Sequence, residues 1–447
     1  GNLPLVDNCG PWLTVTPWPN AWWNLNVQLT YWALNASNHL DLATSLENAI
    51  YNHTDNLKNN VPEPYRKDAM GIDCVSNLKC QSETLGIPGK DSNVNVGLLT
   101  WACHNLWLIY RHKMDDALLR EKLFPVLKQS INYCRHFLRK EADGKYHLSS
   151  TFSPEYGSAE DCNFNLALLN WGCKTLLEIT DRLHIDDELI PVWKEILRDL
   201  TPYPIKEGEG LMIGRDVPYA RTHRHYSHLL AIYPLYLINK ETPENYKLIE
   251  QSLAYWRSKP QSHLAYSSTG ASSISSALGK GNDALEQFET LFDKMLSANT
   301  FYREAGPVIE TPLSGAQSIH DMLLQSWGGK LRIFPAVPDA WGDVAFRDLR
   351  TEGAFLVTAS RKAGKTEFIS IKSLAGEPCI VVTDITTPVF EGKRNFNVTR
   401  LQEGVYRIDL KKSEEVIIHS QETVPDFTIE AIKHSTGNYF GKKLNNK

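Results

Sequence analysis

Residues 118–140 read LLREKLFPVLKQSINYCRHFLRK, and the order of apolar and charged residues in this stretch predicts the class of fold. Its apolar side chains recur at steps of three or four residues, at Leu119, Leu123, Val126, Leu127 and Ile131. Because about 3.6 residues make one turn of an α-helix, these steps place the apolar side chains on one face. The stretch therefore predicts an amphipathic helix that packs on a core.

The same spacing recurs through residues 1–329. We predict further helices at 92–112, 162–181, 187–200, 226–238, 244–258, 282–298 and 315–327. Long loops rich in Pro, Gly, Ser and Asn separate some of them, at 54–91, 149–161, 201–225 and 299–314. We predict roughly ten to twelve helices in all, with almost no strands between them. Loops of this length in compact domains usually carry function. We therefore predict that the helices pair as hairpins in a ring, with the loops gathered at one mouth.

From about residue 330 the pattern changes to short stretches that alternate apolar and polar residues, as at 355–359 and 366–371. Such stretches, about eight to twelve residues apart, predict a small antiparallel β-sandwich. The sequence thus divides into a helical catalytic domain at 1–329, a sandwich at 330–420 and a polar tail at 421–447.

The composition limits the class of function. The chain has 447 residues, 22% of them charged, and a net charge of −5. This balance indicates no basic face for nucleic acid or an anionic membrane. No apolar run reaches the length of a membrane span, about 20 residues. The sequence also lacks the motifs of phosphate, dinucleotide and serine-hydrolase sites, so we expect no cofactor. The chain starts at Gly1 without a signal peptide, and we expect a processed fragment of a periplasmic or secreted protein.

Cysteine and tryptophan give two further indications. The eight Cys include no pair or Cys/His set with metal-site spacing, whereas Cys74 and Cys80 flank a short loop and could form a disulfide. Five of the twelve Trp lie within the first 32 residues: Trp12, Trp18, Trp22, Trp23 and Trp32. Flat rings stack on the C–H faces of sugars, but they also fill cores. Trp23 and Trp101 are our candidate stacking rings.

Glu155 is the first candidate for chemistry. Pro154 precedes it and breaks any helix, so Glu155 is predicted in a loop ahead of the helix at 162–181. Phe152 and Tyr156 flank it, and partial burial between them would raise the pKa of its carboxyl group, as a general acid requires. A plain surface glutamate is the alternative.

Three carboxamides follow one another at alternate positions, Asn24, Asn26 and Gln28. Carboxamides both donate and accept hydrogen bonds, which suits them to sugar hydroxyls or to holding a water. Capping of a helix that begins near residue 27 is an equally good interpretation.

The segment 222–228 carries His223, His225 and His228 beside Tyr226. His at this spacing could bind zinc, and Tyr226 could serve as the base of a lyase. No carboxylate accompanies them and Arg224 is adjacent, which argues against a metal. We favour hydrogen bonding to a substrate, with a structural network as the alternative.

Glu310 precedes the predicted helix at 315–327, whose N-terminus would favour the charged carboxylate. One ionised and one protonated carboxyl group are what glycoside hydrolysis requires. Glu304 and Asp321 compete with Glu310 for the ionised role.

Taken in order, these segments resemble glycoside hydrolase family 95, the inverting α-L-fucosidases and α-L-galactosidases. The residues that carry the resemblance are Gly10-Pro11-Trp12, Pro17-Trp18, Asn24-x-Asn26 with Tyr31-Trp32, Ser153-Pro154-Glu155, His223-Arg224-His225-x-Ser227-His228-Leu229 and Met322-Leu323-Leu324-Gln325-Ser326. The resemblance covers about residues 9–360 and implies an (α/α)6 barrel between an N-terminal and a C-terminal β domain. We expect the N-terminal β domain to lie outside the present sequence.

The resemblance also implies roles. Glu155 matches the general acid, Asn26 the unusual base that orients water, and Asn24 a second Asn that binds water and substrate. His225 and His228 match residues near the sugar. Glu310 stands where the family has an Asp within Asp-Gly-Asn-Phe-Gly, so the carboxylate is one methylene longer and its loop differs.

The sequence thus predicts hydrolysis of a terminal α-linked L-fucose or L-galactose from an oligo- or polysaccharide. Two alternatives remain: a polysaccharide lyase on a helical toroid, with Tyr226 as base, and an inactive glycan-binding homologue.

Overall fold

The computed structural model describes residues 3–10, 18–297, 308–421, 426, 428 and 429. Trp12, Glu304 and nearly all of the tail at 421–447 lie outside these residues, so the predictions made for them have no structural counterpart.

The described part of the chain is helix-rich up to residue 323, as predicted. Its helices are α1 (Asn26–Ala36), α2 (Leu40–Asn52), α3 (Thr54–Asn59), α4 (Leu98–Lys113), α5 (Asp116–Leu118), α6 (Phe124–Arg135), α7 (Asn163–Leu183), α8 (Ile190–Asp199), α9 (Pro243–Arg257), α10 (Ala265–Leu278), α11 (Gly281–Thr290) and α12 (Glu310–Leu323). A π-helical turn over Leu119–Leu123 joins α5 to α6, so the stretch quoted first forms one helical segment that ends at Arg135.

The helix predicted at 226–238 is wrong. Only a 3-10 turn forms there, over Ser227–Leu229. Leu229 and Ile232 are fully buried, and Pro234 lacks the N–H that a helix needs. A buried irregular segment is apolar on every side, so its composition imitates that of a core helix.

Helix α10 was not predicted, because its sequence AYSSTGASSISSAL is rich in Ser, which has low helix propensity. Two of its hydroxyl groups bond to the neighbouring α12: Thr269 Oγ1 lies 2.8 Å from Ser314 Oγ, and Ser273 Oγ lies 3.0 Å from Ser318 Oγ. Small side chains let the two helices pack closely, and tertiary contacts thus override weak propensity.

Short strands lie between the helices, contrary to prediction. They form four antiparallel pairs: β1 (Ala21–Trp22) with β2 (Val75–Ser76), β3 (Leu138–Lys140) with β4 (Tyr146–Leu148), β5 (Thr151–Ser153) with β6 (Gly157–Ala159), and β7 (Ile205–Lys206) with β8 (Gly210–Leu211). Runs of two or three residues are too short to show a strand period in sequence.

The C-terminal part is strand-rich, as predicted. Its strands are β9 (Leu324–Gln325), β10 (Leu331–Ile333), β11 (Val344–Thr351), β12 (Phe355–Lys362), β13 (Lys365–Ser373), β14 (Cys379–Val382), β15 (Pro388–Gly392), β16 (Val398–Gln402), β17 (Val405–Ile408) and β18 (Glu415–Ser420). One sheet has the order β16-β17-β14-β10-β9 and the other the order β11-β12-β13-β18-β15. The first sheet is mixed, since β10 and β14 run parallel, which corrects the purely antiparallel prediction. Side chains from both sheets share one apolar core.

The strand-rich part packs on the helices. Arg350 donates from Nε to the His112 carbonyl at the end of α4, and Arg111 pairs with Glu352 at 3.2 Å. Within the described residues, no helix is long and apolar enough to cross a membrane. All eight cysteines are free, so the Cys74–Cys80 disulfide does not form.

Candidate active site

Glu155 lies at the turn between β5 and β6, in agreement with the loop position predicted for it. The hairpin is anchored on both sides: Ser153 Oγ lies 2.8 Å from Ser227 Oγ, and Asn165 of α7 donates to Thr151 Oγ1 at 2.9 Å. Ser153, Thr151 and Asn165 are buried. The hairpin therefore holds the Glu155 backbone against the segment that carries the histidines.

The contacts of the Glu155 carboxylate are polar. Asn24 Nδ2 donates to Oε1 at 2.8 Å, the Arg224 guanidinium donates to Oε2, and His225 Nε2 lies 3.5 Å from Oε2. The apolar surroundings expected from its sequence neighbours are not what the structure shows. Tyr156 instead turns its hydroxyl to the backbone N–H groups of residues 220 and 221.

The second carboxylate is Glu310, the first residue of α12, which is 1% exposed. Asn26, the first residue of α1, donates from Nδ2 to Glu310 Oε1 at 2.9 Å. Helices α1 and α12 pack side by side, so their N-terminal ends bring these residues together. The N-terminal position of Glu310 favours a charged carboxylate.

Asp321, a competitor of Glu310 in the sequence, lies elsewhere. It accepts hydrogen bonds from the Tyr233 hydroxyl at 2.8 Å and from Gln317 at 2.7 Å. Burial raises the pKa of Asp321 to about 6. It lines a separate small pocket between the helices and the sheets. The carboxylate that lies beside Asn26 is therefore Glu310 and not Asp321.

Both carboxylates line one pocket of about 300 Å³. The described residues around it are Asn8, Trp18, Trp22, Asn26, Glu155, Arg224, His225, Leu264, Tyr266, Val308 and Glu310. Asn24 reaches the pocket through its bond to Glu155. The pocket thus combines two carboxylates, three carboxamides, one guanidinium and two indole rings.

The three histidines of the segment 222–228 are buried. Burial lowers the pKa of His223, His225 and His228 to about 3, so each is neutral near pH 7. His225 lines the pocket, whereas His228 stacks on the Tyr219 ring at 4.9 Å behind it. Within the described residues, no group of three or more His, Cys, Asp or Glu is placed to hold a metal ion.

The amino-acid sequence matches the glycosyl hydrolase family 95 catalytic domain over residues 10–323 and the glycoside hydrolase family 95 C-terminal domain over residues 325–418. The chain belongs to glycoside hydrolase family 95. The family resemblance inferred from the motifs is thereby confirmed.

Two solved structures share the fold of this family 95 chain. A putative kojibiose phosphorylase from the human microbiome aligns over 90% of the chain and 61% of its own, with a TM-score of 0.55 and 12% identity. The α-L-rhamnosidase of Streptomyces avermitilis, complexed with L-rhamnose, aligns over 89% of the chain and 38% of its own, with a TM-score of 0.53 and 10% identity. The chain thus spans less than two thirds of either protein. A search of curated proteins finds no match.

Three residues predicted to bind substrate in this family 95 chain lie in its core. Trp23 is fully buried and donates to Ser76 Oγ at 2.8 Å, and Gln28 donates to the Trp23 carbonyl at 2.7 Å. Trp101 packs edge-on against Phe164. None of the three lines the pocket, because each is enclosed by apolar neighbours.

The sequence prediction missed the pocket residues Trp18, Trp22, Arg224 and Tyr266. A usable signal exists only for Trp22. Burial is complete at Ala21, Trp23 and Leu25, whereas Trp22 and Asn26 are partly exposed. Trp22 is thus in phase with Asn24 and Asn26, whose side chains bond to the two pocket carboxylates, whereas Trp23 is in phase with the buried Ala21 and Leu25.

Proposed function

We propose that this glycoside hydrolase removes a terminal α-linked L-fucose or L-galactose from an oligo- or polysaccharide, with inversion of configuration. The observation that carries the proposal is the pairing of each pocket carboxylate with its own carboxamide, Glu155 with Asn24 and Glu310 with Asn26. A pocket of this size suits the end of a sugar chain better than the interior of a polymer.

In the proposed reaction, the carboxyl group of Glu155 gives its proton to the oxygen of the bond that breaks. A water on the opposite face attacks the anomeric carbon. Asn26 orients this water through its side-chain oxygen, while its Nδ2 group donates to Glu310. The negative charge of Glu310 polarises the Asn26 amide, so that the amide oxygen accepts the proton that the water loses while the Nδ2 proton of Asn26 moves towards Glu310. Inverting enzymes separate the two sides by about 6.5–9.5 Å to leave room for the water.

We also propose that the helices pair as hairpins in an (α/α)6 toroid around the pocket. Two facts support this arrangement. Helices α1 and α12 lie side by side although they are the first and last helices of the described part. The pocket residues come from their N-terminal ends and from the connecting segments, which matches loops that gather at one mouth.

Of the two alternatives, the lyase receives no support from the structure. Its candidate base, Tyr226, is 1% exposed and packs on Trp256 behind the pocket. Burial raises the pKa of its hydroxyl further. A lyase product would absorb in the near ultraviolet, which provides a simple check.

The experiment is to offer α-L-fucosyl-(1→2)-lactose and the matching α-L-galactoside, and to follow the first-formed sugar by proton NMR. Inversion predicts that the β-anomer appears first and the α-anomer only by mutarotation. Initial release of the α-anomer would contradict the proposed mechanism. Binding of these glycans without release of any monosaccharide would favour an inactive homologue.

A further inference from the structure

Two indole rings form one wall of the pocket. The Trp18 and Trp22 ring centroids are 5.0 Å apart, and the rings meet at 80°. Both side chains are partly exposed and both line the pocket. Trp22 Nε1 donates to the Pro19 carbonyl at 3.0 Å, which fixes the orientation of its ring. The wall therefore offers an apolar surface in the same pocket as the two carboxylates.

Of the two rings, Trp22 lies on the strand that leads to Asn24, the carboxamide bound to the proton donor. Trp22 pairs with Val75 across the β1–β2 ribbon, and Trp23 N–H donates to the Cys74 carbonyl at 2.8 Å. Burial, together with the negative charge of Glu155 nearby, raises the pKa of the Cys74 thiol to about 12. The ribbon thus runs beside Glu155, as does Asn24, two residues after Trp22.

The water side is held by different residues. Asn26 and Glu310 are joined to each other, whereas Glu155 is held by Asn24, Arg224 and His225. A general acid protonates the departing oxygen, so the departing sugar must lie next to Glu155 and away from the water. Trp22 lines the same pocket as Glu155 and lies two residues before Asn24, so it is the ring that such a departing unit would meet.

We infer that the Trp18–Trp22 wall binds the sugar unit that leaves, by stacking an indole face on its C–H surface. The inference rests on the proposed function, and it assigns to the site a second sugar position beyond the terminal residue. A pyranose has both polar edges and flat C–H patches, and an indole ring complements such a patch without demanding a particular hydroxyl. The wall therefore selects for a carbohydrate leaving group over a small one.

The test compares two substrates that share the terminal sugar. α-L-Fucosyl-(1→2)-lactose leaves lactose, whereas α-L-fucosyl fluoride leaves an ion that cannot stack. We expect Trp22→Ala to lower kcat/KM for the trisaccharide by about three- to tenfold, the size of one stacking contact, and to change the fluoride reaction by less than about twofold. Trp22→Phe should restore part of the loss. Equal losses on both substrates, or no loss on either, would overturn the inference.

Lactose binding provides a readout that does not depend on turnover. Saturation transfer from the protein should reach lactose C–H protons in the wild type and weaken in Trp22→Ala. The control is Trp341→Ala, because this partly exposed ring lines a separate groove on the strand-rich part. If the wild type cleaves neither fucoside, the proposed function fails, and the lactose signal alone decides the inference. An unchanged lactose signal in Trp22→Ala, or none in the wild type, overturns it.

Discussion

Asn26 Nδ2 donates to Glu310 Oε1 at 2.9 Å across 284 residues of sequence. Glu310 is almost fully buried, so the acceptor is held in a site from which bulk water is excluded. An amide is a very weak base by itself, and only a permanent charge behind it can make its oxygen attract a proton. This pair is therefore the centre of the water-activating half of the site.

Removing the charge of Glu310 should disable activation of the attacking water. Glu310→Gln keeps the shape of the side chain and an oxygen that can accept from Asn26. We expect kcat to fall by about 100-fold or more, the usual contribution of a positioned base, with KM little changed. The control is Glu286→Gln, whose side chain is 68% exposed. A Glu310→Gln variant with wild-type kcat would exclude Glu310 from the reaction.

Replacing Glu155 should produce a loss that depends on the leaving group. Glu155→Gln removes the transferable proton but retains an oxygen for Asn24. We expect turnover of a natural fucoside to fall by about 100-fold or more, and turnover of α-L-fucosyl fluoride to fall far less, since fluoride leaves without protonation. Initial rates on the two substrates measure this. The same loss on both would mean that Glu155 does not act as the acid.

The buried histidines predict a pH dependence of stability. The pKa of His228 falls from 6.5 in an exposed chain to about 3 in the folded protein. Between these values the unfolded chain binds a proton that the folded one does not, so stability is full above about pH 6.5 and declines as the pH falls. Urea unfolding from pH 7 to pH 4 should show this decline, and His228→Gln should make it shallower. The exposed His39→Gln serves as control, and an equal change of slope there would refute the assignment.

Gly270 should tolerate no side chain. A Cβ at this position would lie 2.3 Å from the Tyr226 ring, so α10 can approach that ring only through a glycine. Gly270→Ala should cost about 1–3 kcal/mol of unfolding free energy, as overpacking of a core does. Gly342→Ala is the matched control, because nothing lies within 4 Å of its Cβ position. Thermal melting of both variants checks the difference.

Local sequence patterns predicted the parts of the fold that depend on local forces. Helices α7 and α9 were predicted to within about two residues of their observed limits. Helix α10 was not, since several of its hydroxyl groups bond to residues distant in sequence, such as Ser273 to Ser318 of α12 and Ser272 to the Ala284 carbonyl of α11. The false helix at 226–238 has the opposite cause, namely an irregular backbone enclosed by apolar neighbours.

The candidate site was predictable only in part. Glu155, Asn24, Asn26, Glu310 and His225 are all found at the pocket, but the bonds that join them span 131 and 284 residues. No periodicity carries information over such distances, and these residues were selected through family resemblance. The prediction that Trp23 binds substrate was wrong by one residue. Trp22 and Trp23 are adjacent, and their side chains point to opposite sides, so that Trp22 lines the pocket and Trp23 lies in the core.

The contacts of Arg350 and Glu352 with the end of α4 set a limit on how this protein can be redesigned. A helical part cut off after residue 323 would leave Arg111 without its Glu352 partner and would bare the side of α1 and α4 that the β11 strand covers. Chimeras that exchange sugar specificity between relatives should therefore transfer the pocket segments and keep the whole two-part scaffold as one unit.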